Sequence, residues 1–211
     1  MTQIVSVVPI KLKNERLPDK NIRLLGNKPL VSYIQSSLLQ VPFVGQRYVY
    51  CSNSAICNYL DKGIFYLQRP DFLDADETNF TQIFGEFSKH IEADIYVYAH
   101  ATAPFVESET IQDCIEKVMT GEYDSAFTAV RIQDFLWKGG QAWNFDASNI
   151  PRSQDLDVVY RETSGIYVFR KEVFKQYKRR VGIRPYIREV SYREAVDINT
   201  FADFELAEKL L

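Results

Sequence analysis

Basic side chains are concentrated in one short part of the chain, residues 11–28. Six lysines and arginines stand there against two acidic residues, a local net charge of +4; because the whole chain carries −3, the remainder must carry −7. The six are Lys11, Lys13, Arg16, Lys20, Arg23 and Lys28. A basic segment in an otherwise acidic protein is either a solvated face or a site for an anion such as a phosphate group.

A second group of chemically useful side chains lies near the end of the sequence. Asp197 and Asn199 are two residues apart, and in an extended segment such side chains point to the same side. Their oxygens suit Mg²⁺, which keeps several waters and is usually bound by one or two protein ligands together with substrate phosphates. The spacing places two oxygen-bearing side chains together, and the plain alternative is that Asp197 only braces the last helix.

The element before the basic segment decides between its two interpretations. Residues 4–9, IVSVVP, form an almost continuous apolar run, which is typical of a strand buried on both faces. The basic segment follows at once and contains Pro18 and Gly26, so we expect a loop at the carboxyl end of that strand. Ligands of α/β sheets bind at this end of the strands, which favours the anion site.

The rest of the chain alternates between the two periodicities. We expect further strands at 47–51, 63–67, 95–99, 125–130 and 165–169. We expect helices after Pro29, at 79–90, around 111–118, and from an N-cap at Thr200 to the end. The pattern predicts an α/β fold, a mostly parallel sheet flanked by helices, in one domain spanning 1–211. A polar and aromatic stretch at about 135–163 breaks the rhythm and is interpreted as an insertion that covers a substrate or contacts a second subunit.

Composition excludes several other classes. The chain is 46% hydrophobic and 25% charged, with no apolar run near the ~18 residues of a membrane span. No signal segment precedes the first strand, so we expect a cytoplasmic protein that does not bind membranes. The slightly acidic total argues against nucleic acid as a partner. Cys51, Cys57 and Cys114 lack metal-site spacing and are expected to be buried free thiols.

Several segments, in order, resemble motifs of the cytidylyltransferases that make CMP-sialic, CMP-pseudaminic and CMP-legionaminic acid. Residues 9–21, PIKLKNERLPDKN, resemble the signature loop Ala-Arg-x-Gly-Ser-Lys-Arg-Leu-Pro-x-Lys-Asn. Residues 27–30 resemble the Gly-Lys-Pro-Leu that opens the next helix. Residues 69–78 resemble Arg-Pro-x-x-Leu-Ala-x-Asp-x-Thr, and residues 100–104 stand where Gln-Pro-Thr-Ser-Pro is expected.

The later motifs continue the same order. Residues 154–156, QDL, and 160–167, YRETSGIY, are similar to Arg-Gln-Asp-Leu-Pro and Tyr-Arg-x-Asn-Gly-Ala-Ile-Tyr. Residues 197–200, DINT, resemble Asp-Ile-Asp-Thr. Each motif alone is weakly specific, but together they cover nearly the whole chain.

The resemblance implies a Rossmann-like nucleotide-diphospho-sugar transferase fold and a Mg²⁺-dependent homodimer. The implied reaction transfers CMP from CTP to a sialic-acid-like 2-keto sugar acid and releases pyrophosphate. It implies catalytic roles for Lys20, Lys11 and Arg16. Nucleotide binding is implied for Lys11, Lys13, Asn14, Arg16, Lys20, Asn21, Arg69 and His100. Sugar binding is implied for Thr102, Arg152, Gln154, Arg161 and Thr163, and metal binding for Asp197 and Asn199.

The sequence departs from the family pattern at three places. Lys13 stands where the signature loop has glycine, and Asn199 replaces the second aspartate of Asp-x-Asp. Residues 163–165, TSG, replace Asn-Gly-Ala near the expected sugar pocket. Three alternatives therefore stay open: another nucleotide or sugar, a homologue that binds without catalysis, and a glycosyltransferase. The Gln-Gly-Asp-Glu-Pro of Kdo cytidylyltransferases is absent, which favours sialic-acid-like acceptors.

Overall fold

A seven-stranded mixed sheet forms the centre of the computed structural model, which describes residues 2–211. Its strands are Ile4–Ile10 (β1), Gln46–Cys51 (β4), Phe65–Gln68 (β5), Ile95–Ala99 (β6), Ser125–Ile132 (β7), Val159–Arg170 (β10) and Pro185–Glu189 (β11). Two short hairpins pair Leu24–Leu25 (β2) with Lys28–Pro29 (β3), and Trp137–Lys138 (β8) with Gln141–Ala142 (β9).

The spatial order of the sheet is β11, β7, β10, β6, β1, β4, β5. Strand β1 lies between β4 and β6 and is parallel to both. Only β10 among the strands of this sheet runs the other way, pairing antiparallel with β6 and β7. The mostly parallel sheet predicted from the alternating pattern is confirmed.

Helices cover both faces of the sheet. They are Leu30–Leu39 (α1), Phe80–His90 (α2), Ser108–Met119 (α3), Lys171–Tyr177 (α4) and Phe201–Lys209 (α5). Ile4, Val8 and Ile10 of β1 belong to the core beneath α1 and α3, and Val5 and Val7 belong to the core beneath α2 and α4. Because side chains alternate along a strand, the apolar run of β1 fills both layers, as its sequence predicts.

A third, smaller apolar cluster holds the basic segment in place. Leu17 from that segment packs with Ile198 and with Phe204 of α5, and Leu17 and Ile198 are fully buried. This cluster brings residues from the two ends of the sequence together. It therefore sets the distance between the basic loop and the predicted metal ligands.

The predicted helix starts at Asn79 and Thr200 are confirmed, since each side chain forms a capping box with the third residue of its helix. Other details differ. Strand β10 begins at Val159, so residues 159–163 of the expected insertion belong to the central sheet. Helix α4 and strand β11 were not predicted, because their segments are short and rich in charged residues.

The prediction of buried cysteines is right for Cys51 and Cys114 and wrong for Cys57, which is exposed. Cys57 lies in the 3₁₀ turn Ser54–Tyr59, where Ile56 takes the buried position. No helix within residues 2–211 combines the length and apolar character needed to cross a membrane.

Candidate active site

The loop after β1 is closed at its base by its own side chains. The Asn21 amide donates to the Lys11 carbonyl over 2.9 Å, which joins the end of the loop to its beginning. Asn21 and Lys20 are both buried in a 3₁₀ turn, and Leu17 anchors the loop from below. The loop is therefore anchored at the carboxyl end of β1, with Lys13 and Arg16 exposed.

Lys20 links this loop to the predicted metal segment. Its side chain is 8% exposed, and its Nζ donates to the Ile198 carbonyl over 2.8 Å. Burial lowers the pKa of Lys20, although the nearby Asp197 carboxylate acts in the opposite direction. The cationic group thus lies next to the position where Asp197 and Asn199 are presented.

A cleft of about 400 Å³ opens beside the loop, and it is predominantly basic. It is lined by Lys11, Lys13, Asn14, Glu15, Arg16, Leu17, Lys20, Asp76 and Asn199. The Lys11 Nζ lies 2.7 Å from an Asp76 carboxylate oxygen. The hydrogen bond from Lys11 and its charge lower the pKa of Asp76. Lys13 and Arg16 form no ion pair within residues 2–211, so their charges remain available to an anion.

The segment 197–199 reaches this cleft through Asn199. The Ile198 amide donates to the Thr102 carbonyl over 2.8 Å, which ties the segment to the loop after β6. The Asn199 amide donates to the Asp197 Oδ2 over 2.7 Å, so both side chains lie on one side as predicted. The other Asp197 oxygen, Oδ1, is buried and accepts no hydrogen bond within residues 2–211.

An unpaired buried carboxylate oxygen beside an amide oxygen is a donor set that suits a hard cation. Within residues 2–211 no group of three or more histidine, cysteine, aspartate or glutamate side chains is placed to hold a metal. Asp197 and Asn199 therefore fit a Mg²⁺ ion that takes its other ligands from substrate and water. They do not form a metal site complete in itself.

His100 follows β6 directly and lies against β10. Its backbone N–H donates to the Gly165 carbonyl over 3.1 Å, and its Nδ1 contacts the Ser164 carbonyl. Since a carbonyl only accepts, Nδ1 carries the hydrogen and Nε2 is left as an acceptor. Burial lowers the pKa of His100, which keeps the ring neutral near pH 7.

A second cleft, of about 480 Å³, lies on the far side of the Asp197–Asn199 segment. One wall is residues 161–164 of β10, and the other is formed by residues 192–206. Asn199 lines both this cleft and the basic one. The candidate metal ligands therefore lie between two adjoining spaces, one basic and one of mixed charge.

The wall formed by β10 is irregular. Pairing with β7 shifts in register between Glu162 and Tyr167, and Ser164 has a φ of 59°, in the left-handed region. This conformation is uncommon for residues with a Cβ atom. The motif that these residues resemble has glycine at this position, so the chain keeps a glycine-like backbone while carrying serine.

The remaining residues predicted to bind sugar are placed differently from one another. Arg161 is exposed in the second cleft. Thr163 lines the same cleft but is 5% exposed, and its hydroxyl lies 2.6 Å from that of Thr128. Thr102 is half-buried beside Ile198. Arg152 makes two hydrogen bonds to Asp155, at 2.7 and 2.9 Å, and neither it nor the exposed Gln154 lines a described cleft.

Arg69, predicted to bind the nucleotide, is a buried ion-pair partner. Its side chain is 3% exposed, and its guanidinium donates to Asp74. Asp74 also accepts from the Ser52 hydroxyl over 2.6 Å. Neither Ser52 nor Asp74 is among the site residues predicted from the sequence, although Asp74 stands where the motif has alanine. This difference from the motif is the sequence feature by which Asp74 could have been recognised as a candidate site residue.

This fold and this site together define an α/β domain of the nucleotidyltransferase type. Its architecture matches the solved structure of CMP:2-keto-3-deoxy-manno-octonic acid synthetase complexed with CTP, with a TM-score of 0.73. The match covers 99% of this chain and 98% of the other at 17% identity, a level at which the likeness concerns the fold. The chain belongs to the cytidylyltransferase family, whose sequence profile, described as Cytidylyltransferase, matches residues 5–211.

Curated relatives carry related names. N-acylneuraminate cytidylyltransferase A from Danio rerio is 26% identical over 203 residues, covering 92% of this chain and 47% of the relative. CMP-N,N'-diacetyllegionaminic acid synthase from Legionella pneumophila is 24% identical over 229 residues, covering 99% of this chain and 96% of the relative. The chain spans about half the length of several relatives it matches, including the Danio rerio and Streptococcus agalactiae proteins.

Proposed function

We propose that the protein is a Mg²⁺-dependent cytidylyltransferase that transfers CMP from CTP to a sialic-acid-like 2-keto sugar acid. The observation that carries this proposal is the position of the Asp197–Asn199 segment between the basic cleft and the second cleft. A nucleotidyl transfer needs a triphosphate and an acceptor hydroxyl to meet at one point. The named activities of the relatives support the same reaction.

The reaction is an in-line displacement at the α-phosphorus of CTP. A hydroxyl oxygen of the sugar acid forms the new P–O bond, and the bond from the α-phosphorus to the oxygen bridging it to the β-phosphate breaks. Pyrophosphate leaves with that electron pair, and the hydroxyl proton passes to solvent. Most of the catalysis is positioning and stabilisation of charge on phosphate oxygens.

The basic cleft supplies this stabilisation from side chains that are already placed. Lys13 and Arg16 present unpaired charges, and Lys11 offers its ammonium group after exchanging Asp76 for a phosphate oxygen. Lys20 holds the loop against Ile198 while adding positive charge behind it. Lys20 is held in place before the substrate arrives, and a charge fixed in advance is how an enzyme lowers the free energy of a charged transition state.

Asp197 and Asn199 are the residues we propose as protein ligands of Mg²⁺. A bound Mg²⁺ would neutralise phosphate charge and orient the triphosphate. The buried, unpaired Oδ1 of Asp197 fits this role, because an isolated carboxylate oxygen is otherwise costly to bury. Asn199 contributes a neutral ligand, which we expect to make Mg²⁺ binding weaker than a second aspartate would.

The second cleft is where we propose that the sugar acid binds. Arg161 is exposed there and can pair with the acceptor's carboxylate through two parallel hydrogen bonds. Glu162 is held by Tyr167 and by Arg180, which lies 3.0 Å away, and can accept from sugar hydroxyls. Among the residues lining this cleft, Arg161 is the single cation beside Glu162, Asp197 and Asp203, so the proposed carboxylate contact depends on Arg161.

Pyrophosphate release tests the proposal. The protein is incubated with CTP, Mg²⁺ and, in turn, sialic, legionaminic, pseudaminic and Kdo acids, with ATP, GTP and UTP as nucleotide controls. We expect release with CTP and one sialic-acid-like acceptor, and loss of release when Mg²⁺ is chelated. Binding of CTP without release across the panel would support a non-catalytic homologue instead. Pyrophosphate release with another nucleotide, or with Kdo as the acceptor, would show that the proposed substrate is wrong.

We also propose that the protein acts as a homodimer through the insertion. Its residues carry an unusual number of exposed apolar side chains, including Trp137 at 62%, Trp143 at 56% and Ile150 at 66%. Arg152 and Gln154 lie in the same region and line neither cleft of their own chain, and we propose that they reach the sugar site of a second copy. Light scattering after chromatography should give twice the 24.5 kDa chain mass, and Trp137→Ala should shift the protein toward monomer.

The proposal keeps the cytoplasmic location expected from the sequence. The three cysteines are free thiols in the structure. Unpaired cysteines are typical of a reducing compartment.

A further inference from the structure

A third cleft, of about 660 Å³, adjoins the basic cleft. The two share Lys11, Lys13 and Glu15, and the third continues over the carboxyl ends of β4 and β5. It is lined by Lys11, Leu12, Lys13, Glu15, Ser52, Asn53, Ser54, Asp71 and Asp74. A nucleotide with its triphosphate in the basic cleft can therefore place its base in this neighbouring space.

Asp74 is a fixed acceptor in that space. Its Oδ2 accepts from the Ser52 hydroxyl over 2.6 Å, and its Oδ1 accepts from the Arg69 guanidinium. Arg69 is almost completely buried and ion-paired with Asp74, so it stays beside this carboxylate and balances its charge. The Asp74 side chain nevertheless remains 31% exposed.

An ionised carboxylate has about four lone-pair positions and no hydrogen to donate. Two described contacts occupy part of that capacity, so Asp74 can accept further hydrogen bonds from a ligand in the cleft. The neighbouring Asn53 is less free, because its side-chain oxygen already accepts from the Ala55 amide over 2.9 Å. The cleft thus presents a rigid, acceptor-only group at Asp74.

A group that only accepts hydrogen bonds distinguishes cytosine from uracil. Cytosine carries an amino group, a donor, at the ring position where uracil carries a carbonyl oxygen, an acceptor. A carboxylate therefore attracts the cytosine amine and faces the uracil oxygen with an unmet, repulsive contact. We propose that Asp74 selects cytidine over uridine nucleotides by accepting a hydrogen bond from the exocyclic amine of cytosine. This inference rests on the proposed function only in placing the triphosphate in the basic cleft.

The test is the ratio of kcat/KM for CTP to kcat/KM for UTP in the parent protein and in Asp74→Asn. An amide can donate to the uracil oxygen, so we expect the ratio to fall roughly ten- to hundredfold. A purely structural role, through Arg69, would lower both constants together and leave the ratio unchanged. The ratio does not depend on the fraction of correctly folded protein, so partial unfolding of the variant cannot mimic the result.

Two further variants complete the design. Glu77→Gln removes a negative charge from an exposed residue three positions away that lines none of the described clefts, and it should leave the ratio unchanged. Asp71→Asn removes the other carboxylate of the cleft. A fall in the ratio with Asp71→Asn, and none with Asp74→Asn, would overturn the assignment to Asp74.

Equilibrium binding separates this inference from the proposed function. Dissociation constants of CMP and UMP are measured by calorimetry for the parent and for Asp74→Asn. If the parent catalyses no transfer but binds CMP more tightly than UMP, with the preference lost in the variant, the proposed function fails and the inference stands. If transfer from CTP is observed and neither ratio changes, the function stands and the inference fails. If the parent binds CMP and UMP equally tightly, the inference about Asp74 is also overturned.

Discussion

The two clefts on either side of Asp197–Asn199 are built in opposite ways. The basic cleft comes mainly from one continuous segment, residues 11–20, closed by the bond from Asn21 to the Lys11 carbonyl. The second cleft combines residues 161–164 with residues 192–206, two segments separated by about thirty positions. The basic cleft has an anchored backbone that carries exposed charged side chains. The second cleft includes an irregular strand in which Ser164 has a left-handed backbone conformation.

The difference agrees with the ligands that we propose for the two clefts. A triphosphate is a constant, highly charged ligand, and a short loop at a strand end can surround it with lysine and arginine. An acceptor sugar is recognised by shape and by hydrogen bonds from several directions, which one segment cannot supply. Changes in the second cleft should therefore alter the acceptor, and changes between the clefts should stop the reaction itself.

The largest effect is expected at the boundary between the clefts. Asp197→Ala removes the unpaired carboxylate proposed to bind Mg²⁺, and we expect kcat/KM for CTP to fall roughly a hundredfold or more. Pyrophosphate release across a Mg²⁺ titration measures this. Asn199→Asp is the matched variant, because it adds a charge and should lower the Mg²⁺ concentration for half-maximal rate. An Asp197→Ala protein with parental rates would refute the metal role.

A smaller effect, confined to the KM for the sugar acid, is expected in the second cleft. Arg161→Ala should raise KM for the sugar acid about tenfold, since a charge-assisted hydrogen bond to its carboxylate is lost, and leave KM for CTP unchanged. Arg131→Ala, on the neighbouring strand β7, serves as the control. If KM for CTP rose equally, the two clefts would not be separable as described.

The irregular backbone of the second cleft gives a stability prediction. Ser164→Gly relieves a left-handed conformation and should raise the free energy of unfolding by about 0.5–1 kcal/mol, as measured by urea denaturation. Ser164→Ala keeps the Cβ atom and loses the hydroxyl, so the difference between the two variants isolates the backbone effect. No difference between them would mean that this conformation carries little strain here.

The smallest effect is expected outside the clefts, at Glu194, which lies against the start of α3. Its carboxyl group is almost fully buried, and burial raises its pKa despite contacts with Thr110 and the Glu107 amide. A raised folded-state pKa means that the favourable contribution is complete below the ordinary glutamate pKa and is lost as the pH rises through the folded value.

Glu194→Gln does not titrate. We therefore expect it to be more stable than the parent near pH 7, with the difference shrinking toward acidic pH. Urea midpoints measured from pH 4 to pH 8 test this. A variant that loses stability equally at every pH would show that the carboxyl group acts only through its hydrogen bonds.

Sequence by itself determined the features that depend on neighbours along the chain. The apolar run of β1 predicted a strand buried on both faces, helical spacing predicted the helix at 79–90, and Thr200 predicted a helix start through a contact within one turn. The basic loop was visible because its charges are contiguous. The order of the motifs identified the family over nearly the whole chain.

Tertiary structure alone decided which of these side chains are free to act. Lys11 pairs with a carboxylate 65 positions away, and Lys20 bonds to a carbonyl 178 positions away. Arg69 is buried against Asp74, and Thr163 turns to Thr128 rather than standing exposed like Arg161. Such partners are chosen by the packing of distant segments, which periodicity and local propensity do not encode, because they describe only what lies within a few residues of each position.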